Sequence, residues 1–367
     1  MNSLPEWNRI ETRRNLEGRI ATTGEGLKES WTYRWLLAAG LCLLAVPGGA
    51  APKGPVPSRG FLVVANKGDH TLGIIDPVEG KEIATVNEDG ITGHELAASP
   101  SGRRVFVPIY GNSGVGAPGT DGRTIDVFDL GTRKLVDTIN LGKPLRPHCA
   151  VFGPQNGLLY VTTELADSVT IIDPNTLRIL GSVPTGQPES HMLAITRDGK
   201  LGYTANVHVG TVSVIDLEAR KTLAVIHVSG QTQRIALSVD DRWAFTADQM
   251  QPQLAVIDTA TNQVAKWVPL AGIAYGTGAT LNGKWLLVTI PKLGKVAVVD
   301  LQSMSVVRSV DVPKSPQEVL VRPDDQVAYV SCHESKKVAA INLQTWKVDQ
   351  LIDAGRLVDG LSWANGD

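Results

Sequence analysis

The chain has little cysteine, no surplus of either charge and no apolar run long enough to cross a bilayer. Three cysteines in 367 residues are not a disulfide framework. No C-x-x-C-H occurs, which excludes covalent c-type haem. A net charge of -2 leaves no basic face for phosphate, so no nucleic-acid partner is expected. The apolar run "WLLAAGLCLLAV", Trp35 to Val46, is too short for a spanning helix.

That run follows Arg34 and is followed by "PGGAAPKG", with Gly49 and Ala51 placed for cleavage after Ala51. Residues 1–51 therefore read as an N-terminal extension and signal peptide, 52–59 as a short linker, and 60–367 as one repeat domain. Cys42 makes no lipoprotein site, because Leu41 stands where a small residue is required. The expected mature protein is periplasmic or secreted, with no stable membrane insertion after cleavage, and keeps Cys149 and Cys332 unpaired.

Beyond residue 60, an alternating apolar strand ending in an acid or its amide recurs seven times, to Asp76, Asp129, Asp173, Asp216, Asp258, Asp300 and Asn342. The spacings are 53, 44, 43, 42, 42 and 42 residues. Each unit holds four strand-like runs, and turns such as "TRDG", "SVDD" and "TLNG" separate them. Four antiparallel strands per unit, repeated at this period, predict an all-β chain: a seven-bladed β-propeller.

The segments "LYVTTE", "GYTANV", "AFTADQ" and "AYVSCH", each followed by a "TVSVID"-type strand and an H-x-x-A-x-[ST] strand, resemble the YVTN-repeat β-propellers, the YncE-like family. That resemblance covers Gly60 to the C-terminus and implies an architecture more than a chemistry. The first unit starts at its second strand, and "DGLSWAN", Asp359 to Asn365, supplies a lone innermost strand. The C-terminal strand is therefore expected to complete the N-terminal blade and close the ring.

The seven strand-ending acids precede turns such as "DPNT" and "DLEA", where a carboxylate accepts hydrogen bonds from following amides, so they read as structural. The histidines point elsewhere. His94, His148 and His191 open three successive innermost strands; His70, His208 and His333 sit in loops between second and third strands, on the same face, and His227 near the upward end of an outer strand. Reading the inner-strand entrance around the ring gives His94, His148, His191, Arg234, Tyr275, Glu318 and Asp359 as candidate ligand-binding residues. A Gly-rich insertion from Tyr110 to Arg123 accounts for the 53-residue spacing and is expected to be a mobile flap over the channel mouth, adding Tyr110 and Arg123.

The primary expectation is a module that binds a small molecule or an unknown protein partner through this face. Two enzymatic alternatives stand beside it. His94, His148 and His191 converging on copper or zinc would make a metal-dependent oxidoreductase. Glu318 or Asp359 as general base, with Arg234 holding an anionic group, would make a lactonase-like hydrolase. Cys149 is expected to be a buried apolar residue and Cys332, beside His333, an improbable soft ligand; the eight tryptophans hold no fixed repeat position, which disfavours a quinone cofactor.

Overall fold

A computed structural model describes residues 59–366; the segments read as leader and linker fall outside these, apart from Arg59. The described residues form seven four-stranded antiparallel sheets arranged as a ring, a seven-bladed β-propeller. Blade 1 takes its innermost strand, Val358–Asn365, from the C-terminus and its other three, Gly60–Asn66, Thr71–Asp76 and Lys81–Asn87, from the start of the domain. Its closing register pairs Phe61 with Ala364 and Val64 with Leu361, as the repeat count predicted, and blades 2 to 7 follow in chain order with strands within residues 97–140, 147–184, 190–227, 232–269, 277–311 and 316–353.

Each blade follows the same logic from centre to rim. The second and third strands are buried on both faces, against the neighbouring blades, and are continuous runs of Val, Ile, Leu and Ala: Thr211–Asp216, for instance, exposes little but its last residue. The fourth strand is at the rim and alternates, as Lys221–His227 does between exposed Lys221, Leu223 and Val225 and half-buried Thr222 and Ala224. The strand-ending acids behave as read. Asp216 Oδ1 accepts from the amides of Glu218 and Ala219, and Asp76, Asp258, Asp300 and Asn342 repeat that pair of bonds.

The innermost strands carry the feature that positions the site. Pairing with the second strand is regular except at the entrance, where a bulge intervenes: Pro147 pairs with Thr163 and the next pair is Ala150 with Val161. The same shift separates Ser190 from Met192, Gln233 from Ala236 and Pro316 from Val319. A bulge leaves residues outside the ladder and turns them away from the alternating pleat. As a result two successive residues per blade face the channel, giving an upper and a lower tier.

Candidate functional site

Aligning the blades on these bulges places His94, His148, His191, Gln233, Tyr275, Gln317 and Asp359 in the upper tier. One residue further on lies the lower tier: Glu95, Cys149, Met192, Arg234, Gly276, Glu318 and Gly360. Two candidates from the sequence are thereby corrected. Arg234 and Glu318 belong to the lower tier, and glutamines hold the ring position they were assigned. The repeat contains the signal for this: in H-x-x-A-x-[ST], Ala236 and Ser238 align Gln233, not Arg234, with His191.

A cavity of about 500 Å³ at the channel mouth is lined by His94, His148, His191, Gln233, Tyr275 and Asp359 of the upper tier. Lys67, His70 and Tyr110 join them, with Asn112 to Val115 of the Gly-rich loop above. Of the sequence candidates, Arg123 is not brought in: its side chain is exposed and outside the lining.

Two of the three histidines stack, and the third, His94, leans against them with its ring 4.8 Å from that of His148 and inclined by 54°. The rings of His148 and His191 lie 3.4 Å apart, tilted by 27°. His148 Nδ1 is 3.1 Å from the His191 carbonyl, so this nitrogen carries the proton and donates. Burial above all holds His148 well below the usual imidazole range, so it is neutral and its Nε2 is an acceptor. His94 Nδ1, 3.1 Å from that Nε2, must then donate to it. Burial and the nearby Lys67 keep His94 neutral as well, which leaves His94 Nε2 as a bare acceptor with no hydrogen-bond partner among the described residues. His191 Nδ1 lies 3.3 Å from Glu164 Oε2 and its Nε2 is likewise without a partner among those residues.

This geometry corrects the copper or zinc expectation. Both nitrogens of His148 are spent inside the protein, and stacked rings do not bring three nitrogens to within about 2.1 Å of one point. Among the described residues no group of three His, Cys, Asp or Glu side chains is arranged to hold a metal ion. Cys149 and Cys332 are free and buried, with burial pushing each thiol up to about 12, as suits inert core residues.

Five residues of the candidate site escaped the sequence reading: Glu95, Glu164, Arg146, Lys67 and Gln233. Buried Arg146 reaches Asp121 Oδ1 through Nε (2.6 Å), Glu164 Oε1 and the Gly114 carbonyl through Nη1 (3.1 and 3.3 Å), and the Ala117 carbonyl through Nη2 (2.6 Å). Glu164 also accepts from Tyr110 OH at 2.6 Å. Desolvation opposes ionisation of Glu164, but its bonds to His191, Tyr110 and Arg146 prevail and hold the carboxyl below its ordinary range. The loop expected to be a mobile flap is therefore an anchored cover, latched at two carbonyls by one guanidinium. Apart from Gln233, no single-position signal marks these residues, because their partners come from other strands and loops that only the fold brings near.

Below the histidines, Arg234 crosses the channel from blade 5 to blades 1 and 2, with Nη2 2.5 Å from Glu95 Oε1 and 3.2 Å from Asp359 Oδ1. Its guanidinium lies 5.2 Å from the Tyr275 ring centroid. Lys67 Nζ is 3.2 Å from Asp359 Oδ2. These two cations outweigh desolvation and hold the Asp359 carboxyl well below the carboxylate range. Glu318 goes the other way: burial, then the Glu95 charge, raise it well above that range despite the bond its Oε2 accepts from the Leu361 amide.

A family model described as "Cytochrome D1 heme domain" matches residues 153–356, more than half of the chain. The chain belongs to the cytochrome D1 heme domain family. The matched part supplies His191, Gln233 and Tyr275, while the other upper-tier residues of the cavity, His94, His148 and Asp359, lie outside it. Among solved structures, the chain is similar to Kuenenia stuttgartiensis hydrazine synthase at 18% identity and a TM-score of 0.67, covering 80% of this chain and 99% of that one. It is also similar to a functionally unknown protein from Desulfotomaculum acetoxidans DSM 771, at 12% identity and a TM-score of 0.71, covering 84% of this chain and 100% of that one. At such identities the likeness concerns the fold. No curated protein matches.

Proposed function

We propose that this D1-family propeller is a binding module whose upper cavity takes a small neutral molecule rich in hydroxyl groups. The observation that carries the reading is the pair of unpartnered imidazole nitrogens, Nε2 of His94 and Nε2 of His191, on the wall of a roughly 500 Å³ cavity under a latched cover. The bare Nε2 of neutral His94 accepts from a hydroxyl, and Lys67 and the Gln233 amide can donate in return. The rings of Tyr110 and Tyr275 add flat apolar surface between these polar points. Polar groups converging in a concave pocket are the usual basis of small-molecule specificity.

The family's description names a haem. As lone axial donors, His94 and His191 suit an iron, since each has its Nδ1 committed to the protein and its Nε2 open. The walls do not suit the macrocycle, a broad apolar disc that buries both faces. Val115 and Leu357 are the aliphatic side chains of the lining, set against Lys67, Glu95, Asp359, Asn112 and Gln233. Covering those groups with a porphyrin would desolvate charges with no new partner.

Binding is favoured over catalysis by the proton affinities. A general base works best with a pKa near ambient pH. His94, His148 and Asp359 are all held below their ordinary ranges, and Glu318, the base of the hydrolase reading, lies in the lower tier, outside the lining of the upper cavity. Export rests on the leader-like segment, and the YVTN-repeat assignment on the strand-end motif, in which Asn206 ties the inner strand to the third through Ser190 and Ser213.

The test is a thermal-shift panel of sugars and polyols with the mature chain, His191→Phe and His94→Phe, beside a haemin titration. A polyol that raises the melting temperature of the parent, with the rise lost in both variants, supports the reading. A stoichiometric Soret band that depends on His94 or His191 would replace it with haem binding.

A further inference from the structure

Under the Arg234 brace the channel opens into a second chamber of about 290 Å³, lined by Glu95, Arg234, Thr277, Glu318 and Ser362 together with apolar side chains such as Leu193, Ile235 and Leu361. Among the described residues, Arg234 Nη1 and Thr277 Oγ1 on this wall have no hydrogen-bond partner, while Glu95 Oε1, also without a hydrogen bond, is held in the ion pair with Arg234 Nη2. Arg234 is 4% exposed, so bulk water does not compensate its free nitrogen.

Thr277 is the exception in its ring. The residue after the lower tier is Leu96, Ala150, Leu193, Ile235, Val319 and Leu361 in the other six blades, and in blade 6 it is a threonine. A hydroxyl costs free energy in an apolar ring unless something bonds it. Gly276 stands before it because its backbone passes too close to the Gln317 carbonyl for a Cβ, so no lower-tier side chain from blade 6 occupies the space beside Arg234. Both orphans are donors, and each needs an acceptor.

We infer that the lower chamber is a second binding site, for a small neutral carbonyl compound, an amide or ketone with a short apolar body. One carbonyl oxygen has two lone pairs, enough for Arg234 Nη1 and Thr277 Oγ1 together. The apolar walls take the remainder. Neutrality follows from the charges already present: Arg234 is matched by Glu95 and Asp359, and an added anion would face the Glu95 carboxylate. The site is separate from the upper cavity and does not rest on its ligand.

The test uses propionamide and propionate as probes of the intact mature protein by saturation-transfer NMR, with Thr277→Val alongside. Valine matches the apolar residues of the other blades, so the variant is expected to fold with a melting temperature equal to or above that of the parent. Saturable transfer to propionamide that weakens about fivefold in Thr277→Val, with an upper-cavity Asn112→Ala variant unchanged, supports the site. Absence of transfer to propionamide would mean that the chamber holds water only and would overturn the inference. Tighter binding of propionate, or unchanged affinity in Thr277→Val, would overturn it as well.

Discussion

The carboxylates at the ends of the third strands and those in the channel are the same chemical group used in opposite ways. Asp216 and its counterparts are solvated and bind amides two and three residues ahead, and the arrangement recurs around the ring. Glu95, Glu164 and Asp359 are at most 5% exposed, and each has a partner from another blade: Arg234 for the first and last, Tyr110 and His191 for Glu164. A group that repeats with local partners serves the repeat unit. A group that breaks the repeat and needs partners from across the ring serves something the ring does once.

If that contrast is right, the largest effect belongs to Arg234→Met. Removing the guanidinium leaves Glu95 and Asp359 buried, the first without its cation and the second with Lys67 alone. Breaking a buried pair from one side costs about 3–5 kcal/mol. Urea unfolding of the variant is expected to show a loss of that size. A loss below about 1 kcal/mol, the level of exposed pairs, would erase the distinction between the two sets of acids.

The same contrast explains what was legible in the sequence. The blade count, the closure by Val358–Asn365 and the role of the turn acids rest on local patterns repeated seven times, and each was readable. The upper-tier histidines were readable too, because they open the inner strands. The lower tier was not, since a bulge turns a strand's alternation into two successive channel-facing residues, and a reading by alternation then slips by one at Arg234 and Glu318. Arg146 and Glu164 look like ordinary loop residues until the fold brings blades 2, 3 and 4 together. The metal expectation failed at the level of ring orientation, which residue type and spacing do not encode.

An intermediate effect is expected from pH. His94 and His148 are held below their unfolded imidazole values, so the folded state binds fewer protons than the unfolded chain once pH falls below about 6.5. Their contribution is present above that value and is lost on acidification, at up to about 1.4 kcal/mol per pH unit for each ring. Glu88, raised to about 7, and Glu318 act with the opposite sign, gaining stability as pH falls through the same window. The informative quantity is thus a difference. Between pH 7 and 5, His148→Gln is expected to lose less stability than the parent, by about one imidazole's slope, in paired urea titrations. Parallel slopes would mean that His148 takes up its proton in the fold over the same pH range as in the unfolded chain.

The smallest effect should come from the turn acids. Asp216→Ala removes two hydrogen bonds from Oδ1 to the amides of Glu218 and Ala219, but both amides lie at an exposed turn where water replaces the carboxylate. No buried charge is stranded, and the six other turns are untouched. A loss of about 0.5–1 kcal/mol is expected, with the pH dependence between 7 and 5 unchanged because neither histidine is involved. Ligand binding in the upper cavity should also be unaffected. A loss rivalling that of Arg234→Met would show that the repeated acids act cooperatively around the ring, so that repetition itself, and not local satisfaction, is what makes them necessary.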